Sequence, residues 1–145
     1  MTPDETLRAL AALEAAWLRD ERALSALAER SPGELSLPVL VAAYGDQILD
    51  SLVSLACGIR PADDSDPEGQ AAAEERKQTA VAARMTAVVG RTLTTWAASA
   101  PESASGDIGR AVIDAVLNFT AGTGEKHVLP LLAALRSSAL NRTAP

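Results

Sequence analysis

Two aspartates four residues apart, Asp46 and Asp50, stand in the apolar run LPVLVAAYGDQILDSLVSLACG. Carboxylates at that spacing share one side of a helix, where they can hold a divalent cation, act as an acid–base pair, or face water. Projected at about 100° per residue, they lie opposite Ile48 and beside Gln47 and Ser54, where a solvated strip belongs. Val39, Val53 and Cys57 share that side, so the expectation is a solvated or salt-bridged strip partly covered by another helix or a second subunit.

A second acidic group precedes it. Asp20 falls on the side of Leu13, Leu24 and Leu27, while Glu14 and Glu21 lie one heptad apart beside Leu10 and Trp17. Carboxylates so close to an apolar stripe need partners, because an unpaired buried charge is costly. Lys77, Arg84 and Arg91, spaced seven apart, flank the apolar face of a later helix and are the expected partners. Their alternative use is a basic ridge for a ligand. With Val53, Trp17 and Trp96 they make up the candidate ligand- or partner-binding set.

Other reactive types are scarce. His127 is the only histidine, which excludes a His-rich zinc site and leaves at most a single-histidine mechanism. Thr123-Gly124-Glu125-Lys126 lacks the Gly-Lys-Ser/Thr ending and the preceding strand of a phosphate loop, and reads as a turn. The lone Cys57 has no intrachain partner and sits among Leu55, Ala56 and Gly58, the setting of a small hydrophobe. A net charge of −6 and a pI near 4.7 argue against a nucleic-acid partner, whose phosphates call for clustered Lys and Arg.

These residues need helices to position them. At 145 residues and 48% hydrophobic content the chain is the size of one domain with one core. Aromatics make up only 3%, so that core is built from Ala, Leu and Val, a composition that leans helical. Thr2-Pro3-Asp4-Glu5 is a capping box that starts a first helix running to about Arg30. Ser36 caps a second, with Leu37, Val41, Tyr44, Ile48, Leu52 and Leu55 along one face and Gly58 as terminator. After an acidic loop at about 59–69, Asp66-Pro67 opens a third helix that runs to about Ser99 with an apolar stripe of Val81, Met85, Val88, Val89, Thr92 and Trp96. Residues 100–106 connect to a fourth, with Ile108, Val112, Ala115, Val116 and Phe119 inward. A shorter fifth carries Val128, Leu131, Leu132, Leu135 and Leu140, with Pro130 in its first turn. The expected fold is all-α: one antiparallel helical bundle of about five helices, three long and two shorter. The third helix is expected to outrun the second and to meet a second copy or project as a binding surface.

The run Tyr44-Gly45-Asp46, the apolar helix ending Ala56-Cys57-Gly58-Ile59, and the acidic loop with Asp66-Pro67-Glu68 together resemble the second motif of the all-α nucleoside triphosphate pyrophosphohydrolases. In that family a Glu-x-x-Glu on one helix and a Glu-x-x-Asp on the next hold magnesium. Asp46 matches the final Asp, but Ala43 stands three residues before it, and Glu14 is followed by Trp17 instead of a second acid. The resemblance implies a degenerate enzyme with Asp46, Asp50, Glu14 and Asp20 or Glu21 around magnesium, and Lys77 or Arg84 on the phosphates. That is the alternative to the main expectation: a non-enzymatic helical module, without cofactor, that binds a protein partner or a small apolar ligand in an accessory or regulatory role, with homodimerisation through its exposed surface as one option. A regulator's effector domain is a third reading. The N-terminus, MTPDETLR, is acidic where a signal peptide is basic, which predicts a cytoplasmic protein. Leu35 to Gly58 approaches spanning length, but Asp46, Gln47 and Asp50 near its centre are expensive in hydrocarbon, so no membrane partner is expected.

Overall fold

A computed structural model describes residues 1–31, 33–57, 69, 71–72, 75–77, 80–119, 126 and 128–143. Every regular element among them is helical. Helix α1 (Pro3–Leu18) opens on the expected capping box: Thr2 Oγ1 accepts from the Glu5 amide at 3.2 Å, and Glu5 Oε2 accepts from the Thr2 amide at 2.7 Å. Ala9, Leu10, Ala12, Leu13, Ala15 and Ala16 are buried.

The first helix does not continue to Arg30. Arg19 adopts a left-handed conformation with φ of 55°, and the Arg19 and Asp20 amides donate back to the carbonyls of Ala16 and Ala15 at 3.3 and 2.9 Å. Asp20 then caps α2 (Glu21–Ala28), its Oδ1 accepting from the Ala23 amide at 3.0 Å. The local reward of a cap on a fresh helix outweighs continuation, and α2 folds back onto α1. Arg8 holds it there by donating to the Leu27 carbonyl at 2.9 and 2.6 Å, which satisfies a carbonyl at the end of α2.

Helix α3 (Leu37–Ala56) is the central element, packed against α1, α4 and α5. Ser36 occupies the expected cap position but its hydroxyl bonds no amide; the Leu37 amide donates to Glu102 Oε2 at 3.1 Å instead. Leu37, Val41 and Tyr44 are buried as expected, whereas Leu55 is 65% exposed near the helix end. Cys57 is half-buried in a right-handed turn. The expected terminator Gly58, the acidic loop through residue 68 and the Asp66-Pro67 helix start lie outside the described residues. By length and hydropathy α3 could cross a membrane; 39% of its apolar window is buried inside the bundle.

The expected thirty-residue third helix is interrupted at Ala80, which is extended (φ −65°, ψ 128°). Residues 75–77 are helical ahead of it, and α4 (Val81–Ser99) starts afresh. With 19 residues against 20 in α3, α4 does not outrun its neighbour. It turns its expected apolar stripe the wrong way: Gly90, Leu93 and Ala97 are buried, while Val81, Met85, Val88, Val89 and Trp96 keep 39–70% of their surface exposed. Small residues explain this orientation. Ala83, Gly90 and Ala97, spaced seven apart, let α4 approach α3 so closely that a Cβ at Gly90 would strike the Asp46 carboxylate.

A single 3-10 turn, Glu102–Ala104, leads into α5 (Ser105–Phe119), which buries Ile108, Val112, Ile113 and Val116. Helix α5 is wedged between α1 and α3: a Cβ on Gly109 would lie 2.7 Å from that of Ala16, and one on Gly45 would lie 2.6 Å from Val112 Cγ2. Helix α6 (Val128–Thr143) covers α1 through Val128 and Leu132; Leu131 and Leu140, expected inward, are 37% and 49% exposed. Pro130 lies in its first turn, and His127 and residues 121–125 fall outside the described set.

Neighbouring contacts set the directions. Leu37 meets Glu102 and Asp46 meets Gly90, so α3 and α4 are antiparallel; Leu13 and Val41 flank Gly109, and Pro3 lies near Ser51, so α1 and α3 are antiparallel too. The fold is therefore an all-α bundle in which α3 runs antiparallel to both α1 and α4. The expected division into three long and two shorter helices does not hold, since α6 matches α1 at 16 residues, and six complete α-helices stand among the described residues beside the helical residues 75–77.

Candidate functional site

The α3–α4 interface opens into a groove of about 430 Å³ whose walls carry Asp46, Asp50, Val53, Lys77, Arg84 and Arg91. Six residues singled out by type and spacing thus converge, although Lys77 reaches the groove from the segment before Ala80 and not from α4 itself. Its Nζ bonds Asp50 Oδ1 at 2.7 Å and Ser54 Oγ at 3.0 Å. The Asp50 side chain is 63% exposed, so solvent screens the pair and its worth is below about 1 kcal/mol. Asp50 is the salt-bridged half of the strip. Asp46 rests against the Gly90 backbone. Val53, 3% exposed, is buried beneath α4, so a helix of the same chain covers the apolar part of the strip.

Arg84 and Arg91 behave differently from expectation. Both are exposed, and neither guanidinium makes an ion pair or hydrogen bond among the described residues. They do not answer Glu14, because α1 takes α6 as its flanking neighbour while α4 packs mainly on α3. Glu14 is bound instead by Arg136 Nη2 at 2.6 Å, a partner that sequence reasoning missed.

The remaining acids do not gather. Asp20 is spent on the α2 cap, and Glu21 is exposed in the first turn of that helix. Among the described residues, no three or more His, Cys, Asp or Glu side chains form a cation site. Asp46 and Asp50 thus stay apart from Glu14, Asp20 and Glu21. The two tryptophans part as well: Trp17 is half-buried against the core, and Trp96 stands 41% exposed on the outer face of α4.

Two features were not anticipated. One is the outward turn of the α4 apolar stripe, whose signal was the seven-residue repeat of small residues that competes with it for the core. The other is a groove of about 400 Å³ bounded by the start of α1, the second half of α3 and the end of α6, with Tyr44, Ile48, Leu52 and Leu135 in its walls beside the polar Thr6 and Ser51. It forms where three helices diverge, which no single helical wheel reveals. No protein-family model, curated protein or solved structure matches this chain.

Proposed function

We propose that this protein is a non-enzymatic helical module that binds a protein partner through the outer face of α4. One observation carries the reading: Val81 (70% exposed), Met85 (65%), Val88 (54%), Val89 (39%) and Trp96 (41%) lie along a single helix. Scattered exposed apolar residues are ordinary, but a contiguous stripe bordered by charge marks a recognition surface. Its members also suit the purpose, since Met adapts to irregular partners and Trp is enriched where binding energy concentrates.

The magnesium-carboxylate alternative has no comparable support among the described residues, where Glu14 is paired with Arg136 and Asp20 with an amide of α2. The apolar groove beside Tyr44 and Leu52 supports a second, smaller role: holding a compact apolar ligand, with Ser51 or Thr6 positioned for one polar contact.

Site-specific photo-crosslinking distinguishes the main reading. A photoreactive residue at Met85 or Val88 is expected to yield a discrete protein adduct in cells, whereas one at Arg22, exposed on α2, is not. Equal labelling from all three positions removes the proposal.

A further inference from the structure

We infer that the occupant of the α4 face is an acidic amphipathic helix rather than a second copy of this chain; the inference rests on the reading of that face as a docking surface. Val81, Met85, Val88, Thr92 and Thr95 follow one another at spacings of four, three, four and three, the seam of a helix that pairs with another helix. Arg84 and Arg91 border the seam on one side, and Val89 and Trp96 on the other. Positions bordering a seam set partner choice through charge. Here they are one-signed: α4 contains two arginines and no carboxylate, although the chain as a whole has 19 acidic residues against 13 basic ones.

Charge complementarity selects the partner. Arg84 and Arg91 are exposed and make no ion pair among the described residues; the carboxylates that share their groove, Asp46 and Asp50, belong to α3, and neither bonds them. Asp50 is already held by Lys77. A second copy that pairs through its own α4 supplies no acid. In an antiparallel two-fold pairing centred near Gly90, Arg91 of one copy faces Arg91 of the other; in a parallel pairing the arginines face Val89 and Trp96. A foreign helix with Leu or Ile in its seam and Glu along the adjoining edge satisfies both the apolar stripe and the arginines.

The test uses the full chain with Trp17→Phe, so that Trp96 alone reports, and two synthetic helical peptides with identical Leu/Ile seams, one edged with Glu and one with Lys. The Glu-edged peptide is expected to shift Trp96 emission to shorter wavelength and to bind at least about fivefold tighter at low salt, a factor matching exposed ion pairs, with the advantage shrinking as salt rises. Arg84→Glu with Arg91→Glu is expected to reverse the preference, and Val88→Asp to weaken both peptides. Equal binding of the two peptides overturns the acidic partner but leaves the docking face standing. Binding of neither overturns both. A concentration-dependent dimer by light scattering, abolished by Val88→Asp, overturns the inference in favour of a second copy.

Discussion

Gly90 and Gly109 are both places where one helix approaches another too closely for a side chain, but what a methyl group meets there differs. At Gly109 it meets the Cβ of Ala16, 2.7 Å away and fixed to the α1 backbone. At Gly90 it meets the end of the Asp46 side chain, which can rotate aside. Gly109→Ala is therefore expected to cost about 1–3 kcal/mol through overpacking. Gly90→Ala is expected to cost less, because the roughly 1 kcal/mol gain in helix propensity offsets the displacement. Urea denaturation of the two variants provides the comparison; equal losses would contradict it. Residue types were legible where the chemistry is local, as in the Thr2–Glu5 box, which spans four residues. Asp20 was misread because a helical wheel assumes the helix continues, and the backbone turned at Arg19, one residue earlier.

At the scale of the element, α4 illustrates how two patterns on one helix compete. The larger side chains, Val81, Met85, Val88 and Trp96, have more area to bury, yet the close fit of Ala83, Gly90 and Ala97 on α3 decides which face turns inward. Sequence periodicity measures hydrophobicity and not fit, so the stripe was found and its direction was not. This orientation predicts an inverted sensitivity to substitution. Leu93→Ala, at a site only 7% exposed, is expected to destabilise by about 2–5 kcal/mol. Val88→Asp, at a site 54% exposed, is expected to change stability by less than about 0.5 kcal/mol despite placing a charge in an apolar stripe. Thermal melts that rank the two in the opposite order would refute the orientation.

For the molecule as a whole, composition was the reliable guide: few aromatics, abundant Ala and Leu and no alternating pattern pointed to an all-α bundle, which is what forms. The pairing of charges was less legible, because it depends on which helix lies beside which. Neighbour choice put Arg136 next to Glu14 and left Arg84 and Arg91 without an ion pair among the described residues. The separation of the two acidic sets bears on the enzymatic alternative. Millimolar magnesium with a nucleoside triphosphate is expected to leave the melting midpoint of the protein within about 1 °C of its value in buffer, since a ligand stabilises only by binding the native state. A clear upward shift that disappears in Asp46→Asn would restore a magnesium site.

Glu102 carries a consequence for the order in which the chain assembles. Its carboxylate accepts the Leu37 amide at 3.1 Å and lies 3.8 Å from Arg30 Nε, so the start of the central helix is closed by a residue 65 positions downstream. Such a bond cannot form until the corner between α4 and α5 has docked, and contacts of that sequence separation tend to form late. Glu102→Ala is therefore expected to accelerate unfolding while leaving refolding nearly unchanged, a difference that stopped-flow kinetics resolves in the two arms of the denaturant profile. The carboxylate acts as a latch on a finished bundle and plays no part in starting it.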